Sequence, residues 1–192
     1  MDLDSFFDRE LDEHATVLAA TRKAVRQPFA RLLRVCVRAC GNGGKLVFFG
    51  NGGSAADAQH LATELAVRYD GDRAPIPALA LTTDTSALTA IGNDLGFEWL
   101  FARQVEALCR AGDVCIGIST SGESDNIVRG LAAARERGCV AAALTGGDGG
   151  RLTAIADPVL VVPSRVTARV QEMHITLGQM LCAALERELG LA

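Results

Sequence analysis

The chain has 192 residues, of which 49% are apolar and 22% charged, a balance that suits one globular domain with a sizeable core. The net charge of −4 argues against nucleic-acid binding driven by bulk electrostatics, and no apolar run reaches the roughly 18 residues a membrane span needs. The acidic start Met1-Asp2-Leu3-Asp4 lacks the basic and apolar regions of a secretory leader, so a cytoplasmic protein is expected.

The first 40 residues read as helical. Leu11, Ala15, Leu18 and Val25 recur at helical spacing as one apolar stripe, which Pro28 interrupts. A second helix runs through Leu32, Leu33, Val35 and Cys36 and stops at Gly41-Asn42-Gly43-Gly44. Arg22, Lys23, Arg26, Arg31, Arg34 and Arg38 read as a solvated helix face, since acidic residues precede them and no aromatics interleave. From Lys45 the pattern alternates. Strands are expected at 45–49, 78–81, 114–118, 140–144 and 159–162, and helices at 55–68, 85–91, 97–110, 125–137, 151–156 and 167–189.

These strands are apolar throughout rather than alternating, which marks a parallel sheet covered on both faces. The expected fold is therefore α/β, a five-stranded parallel doubly wound sandwich with helices at the N-terminus, forming a single domain over residues 1–192. The stretch Tyr69 to Pro77 reads as the exposed loop, being rich in charge, glycine and proline. None of the six cysteines (36, 40, 109, 115, 139 and 182) forms a C-x-x-C pair. Cys36 and Cys40 stand at helical spacing and could share a metal, but free cysteines more commonly pack as small hydrophobes.

In open α/β sheets ligands bind beyond the C-terminal ends of the strands. Two loops there stand out. Gly50-Asn51-Gly52-Gly53-Ser54 follows the first strand; its glycines permit close backbone approach, and Ser54 is a suitable N-cap for the next helix. Ser119-Thr120-Ser121-Gly122-Glu123-Ser124 follows the third strand and sets four hydroxyls ahead of a helix, an arrangement suited to phosphate. No Walker lysine is present, which argues against a nucleoside triphosphate. Gly92-Asn93-Asp94 either faces a ligand as well or simply ends a helix.

His60 and Glu64 share a face of the helix after the first loop, where an imidazole and a carboxylate could bind a metal, act as an acid–base pair, or simply meet on a solvated surface. The last helix carries Gln171, Glu172, His174 and Gln179; His174 is either catalytic or a core histidine.

Several blocks in order resemble the SIS (sugar isomerase) domain family and, within it, the phosphoheptose isomerases: Gly50 to His60, Leu81 to Asp84, Thr89 to Asp94, Gly117 to Ser124, Ala143 to Gly150 and Arg169 to Ile175. The resemblance covers nearly the whole chain. It implies conversion of sedoheptulose 7-phosphate to D-glycero-D-manno-heptose 7-phosphate through an enediol, in a homotetramer with active sites at subunit contacts. It assigns substrate contacts to Asn51, Gly52, Gly53, Ser54, Glu64, Asn93, Asp94, Ser119, Thr120, Ser121, Ser124 and Gln171, the role of catalytic base to Glu64, and the second catalytic position to Gln179. In relatives with bound zinc, the positions of His60, Glu64, Gln171 and Gln179 supply the ligands. Gln179 departs from the pattern, which usually has histidine there as ligand and as partner acid or base. An amide exchanges no proton near neutral pH, so the departure leaves room for two other readings. One is an adaptor like the branch of the family that associates with the replication initiator. The other is an isomerase of a different phosphosugar.

Overall fold

The computed structural model describes residues 1–191; residue 192, the last of the expected domain, lies outside the described residues. Strands β1 (Leu46–Gly50), β2 (Ala78–Ala80), β3 (Val114–Ser119), β4 (Val140–Gly146) and β5 (Val159–Val162) form one sheet. Their order is β2-β1-β3-β4-β5, and every neighbouring pair is parallel. β1 and β3 are buried along their whole length, which explains why their sequences carry no polar alternation.

Helices α1 (Leu3–Ala24), α2 (Arg26–Gly41), α3 (Gly53–Ala66) and α7 (Thr167–Glu188) cover one face; α4 (Thr85–Asp94), α5 (Leu100–Leu108) and α6 (Asp125–Glu136) cover the other. The pleat of β1 divides its side chains between two cores. Leu46 and Phe48 join Leu61, Leu65 and Leu181, whereas Val47 and Phe49 join Phe101 and Leu131. Phe49 stacks on Phe101 with ring centroids 5.1 Å apart. No helix among the described residues is long and apolar enough to cross a membrane.

Several expectations shift. The break between the first two helices falls at Val25, and Pro28 lies within the first turn of α2, where a missing N–H costs nothing. Of the predicted stripe only Val25 joins the core: Leu11, Ala15 and Leu18 are exposed, and the buried residues within α1 are Val17 and Thr21. The helix expected over 97–110 is a 3₁₀ turn (Phe97–Trp99) followed by α5, and the one over 151–156 is a 3₁₀ turn (Gly150–Ala154). The stretch 69–77 is the expected loop, exposed at Tyr69, Asp70, Asp72, Ala74, Pro75 and Pro77, but it is pinned at two points, with Ile76 buried and the Arg73 side chain 1% exposed.

Candidate active site

The sequence of strands runs outward in both directions from β1 and β3. Their following loops therefore diverge and leave a crevice between them. The glycine loop after β1 forms one wall and the hydroxyl loop after β3 the other.

In the first wall Gly52 is the N-cap of α3, at φ +56°, a conformation that glycine adopts without steric cost. The helix therefore begins before Ser54, which lies inside its first turn, buried, and does not cap it as expected. Gly53 packs directly against α7: a Cβ there would come within 2.4 Å of Nε2 at the movable end of Gln171. Asn51 exchanges two hydrogen bonds of 2.9 Å with Asn126 on α6, so this amide pair braces the two walls against each other.

In the second wall Ser119 Oγ accepts from the Gly122 N–H at 3.2 Å and lies 3.4 Å from Ser124 Oγ. Ser121 Oγ accepts from the Glu123 N–H at 3.2 Å. Ser124 is the N-cap of α6 yet makes no side-chain cap bond, leaving the positive end of the helix open to an anion. Gly122, at φ +72°, sits so close to Gly149 that a Cβ would lie 2.2 Å from the Gly149 oxygen. Arg151 offsets the local negative charge: its guanidinium pairs with Asp125 and its N–H donates to Glu123 at 3.1 Å. The Arg151 guanidinium accordingly holds the Asp125 carboxyl below its usual range. Beyond this loop lies a cavity of about 420 Å³ lined by Thr120, Ser121, Gly146, Asp148, Arg165 and Thr167, among others. Asn93 and Asp94 end α4, exposed and hydrogen-bonded to each other at 2.7 Å.

The expected base Glu64 and its neighbour His60 lie on the flank of α3. His60 Nε2 and Glu64 Oε1 are 2.9 Å apart, with the side chains 46% and 24% exposed. α7 runs beside α3 in the same direction, for Gln171 meets Gly53, Gly178 meets Leu61 and Glu186 meets Tyr69, in step along both. That register sets the half-buried Gln179 level with the turns carrying His60 and Glu64. His174 faces inward. It is fully buried, its Nε2 donates to the Thr145 oxygen at 3.2 Å, and burial pushes its pKa down to about 4. It is a neutral core histidine and cannot replace an acid in the crevice.

The donors do not fit an ordinary zinc site: among the described residues no group of three or more His, Cys, Asp and Glu side chains could hold a metal ion. His60 and Glu64 are two strong ligands, and the amides of Gln171 and Gln179 are weaker, whereas catalytic zinc normally takes three strong ones. Cys36 is buried, and burial raises the thiol pKa of both Cys36 and Cys40.

Sequence reasoning overlooked three features. Asn126 had no visible partner in the sequence. Asp57 lies one turn before His60, with Oδ2 buried and unpartnered, and burial raises its pKa while His60 opposes the rise; its i,i+3 spacing from His60 was the available signal. The buried pair of Arg73 and Glu186 joins residues far apart in the chain.

Comparison with known proteins agrees with this geometry. A family model described as SIS domain matches residues 11–146. The phosphoheptose isomerase of Paramagnetospirillum magneticum is 58% identical over 182 residues, covering 95% of each chain. That of Aquifex aeolicus is 52% identical over 174 residues, 91% of each. The solved phosphoheptose isomerase of Neisseria gonorrhoeae superposes with a TM-score of 0.91 at 43% identity, covering 96% of this chain and 99% of that one. The Francisella tularensis structure gives 0.93 at 34% identity, covering 97% and 100%. The crevice at the strand switch point, its hydroxyl loop and the carboxylate-bearing helix are thus those of a sugar isomerase fold, and the chain belongs to the SIS domain family, among its phosphoheptose isomerases.

Proposed function

We propose that the chain interconverts sedoheptulose 7-phosphate and D-glycero-D-manno-heptose 7-phosphate. The phosphate rests on Ser119, Thr120, Ser121 and Ser124 at the N-terminus of α6, and the sugar reaches from there toward Glu64. Glu64 takes the proton from C1 of the ketose. The freed electron pair forms the C1–C2 double bond, and the C2 oxygen takes up a proton. When the enediol collapses from O1, C2 recovers a proton from Glu64 and C1 becomes the aldehyde carbon. His60, bonded to Glu64 at 2.9 Å, relays the hydroxyl protons through its two ring nitrogens. Gln179 and Gln171 orient sugar hydroxyls through their amides.

The observation that carries this reading is the 2.9 Å His60–Glu64 pair on the helix that springs from the glycine loop. The adaptor and the other-phosphosugar readings are not favoured: Glu64 is retained, and relatives at 58% and 52% identity are phosphoheptose isomerases. The test is to supply sedoheptulose 7-phosphate, with and without zinc, and follow the aldose product. Absence of turnover under both conditions would sink the proposal.

We also propose a homotetramer with active sites at subunit contacts. Support comes from α1, whose Leu3, Phe7, Leu11 and Leu18 are 67%, 61%, 54% and 43% exposed. Next to them, Leu18, Phe29, Leu177 and Met180 help line a cavity of about 340 Å³ between α1, α2 and α7. Apolar surface of this kind is normally covered. Light scattering that returned a monomer at working concentration would remove this part.

A further inference from the structure

The last turn of α3 is held in an unusual way. The carbonyls that end a helix lack partners within it and usually turn to water or a glycine cap. Here Arg73 serves two of them: its Nη2 donates to the Glu64 oxygen at 2.9 Å and its Nη1 at 2.9 Å to the Leu65 oxygen, which also accepts from the Ile76 N–H at 3.0 Å. Its Nε donates to Glu186 Oε1, near the end of α7, and the same carboxylate oxygen accepts from the Tyr69 N–H at 2.9 Å. The two side chains are 1% and 2% exposed. Burying two charges is a poor route to stability, since apolar residues of similar volume commonly serve as well or better. What apolar residues could not do is grip the backbone of Glu64 itself.

We propose that Arg73 and Glu186 are positioning residues for catalysis, a clamp that fixes the backbone of the base Glu64 relative to α7 and hence to Gln171 and Gln179. The inference rests on the isomerase reading above. Arg73 binds the carbonyl of Glu64 rather than its carboxylate, and Glu186 cancels the cation's charge. The carboxylate thus stays free to take a proton while its Cα cannot drift. Small displacements of a base cost rate more than binding, since the substrate is gripped at the phosphate loop.

The experiment compares wild type, the double variant Arg73→Met/Glu186→Leu, which removes both charges and keeps volume, and Arg73→Lys. Steady-state kinetics on sedoheptulose 7-phosphate are paired with hydrogen exchange over residues 63–69 and a thermal melt. For the double variant we expect a cooperative melt, KM within about twofold of wild type, kcat lowered about tenfold or more, and faster exchange in that segment. Arg73→Lys, which retains the charge and one donor to the carbonyls, should recover part of kcat. A folded double variant with wild-type kcat would overturn the clamp, whatever its melting point, as would unchanged exchange or equal losses in KM and kcat. An inactive wild type would instead refute the isomerase reading, and the clamp with it.

Discussion

The two ends of the crevice are built differently. The proposed phosphate end consists of backbone and short side chains: N–H groups at the start of α6, hydroxyls bonded to their own loop, and glycines against which other chain segments press. The proposed proton-transfer end consists of side chains on an accessible helix flank, where the Glu64 carbonyl is bonded by Arg73 from a loop outside the helix. The first is preorganised and spreads its work over many contacts; the second concentrates its work in a few atoms. Damage to the two ends should therefore look different in kinetics.

The largest effect is expected from Glu64→Gln, which keeps shape and removes the base: kcat should fall about a thousandfold with KM little changed. Retention of wild-type kcat would erase the distinction between the ends. Next comes the floor beneath the phosphate loops, where His174 bonds to Thr145. Its pKa is about 4 folded against 6.5 as the reference, so the unfolded chain binds the proton first as pH falls. Stability attributable to this group is complete above about pH 6.5 and declines toward pH 4, by roughly 3 kcal/mol in all. Denaturant titrations at pH 7.5 and 5 should show the decline, and His174→Gln should flatten it. Ser121→Ala should raise KM about tenfold and leave kcat within a few-fold, because it removes one of several phosphate partners. Gln179→His should have the smallest kinetic effect, yet it adds a third strong donor beside His60 and Glu64. Equilibrium dialysis with metal analysis should then show zinc held at least about tenfold more tightly than by wild type; equal affinity would mean that Gln179 does not share their space.

Much of the phosphate end was legible in the sequence, because it is local. Glycines and hydroxyls within six residues of a strand end announce a ligand loop, and five uninterrupted apolar runs announce a parallel sheet. Helix periodicity revealed α1 but not the direction of its apolar stripe, which depends on what covers it. Ser54 looked like a cap because serine favours that place, but Gly52 turns the chain earlier. Composition announced the exposed loop 69–77, but it cannot show that Arg73 within it has a carboxylate waiting more than a hundred residues later. The departure at Gln179 was plain in the sequence, whereas its level beside His60 and Glu64 required the packing of two helices.

That packing has a consequence for how such a chain can vary. α3 and α7 climb side by side from Gly53 and Gln171, each advancing about 1.5 Å and turning about 100° per residue. A single residue gained or lost between Gly53 and Glu64, or between Gln171 and Gln179, would swing one set of reactive groups a quarter-turn or more away from the other. Substitutions can accumulate along both helices, as long as their lengths stay locked together like the teeth of two racks. The surface turns elsewhere can lengthen or shorten at little cost.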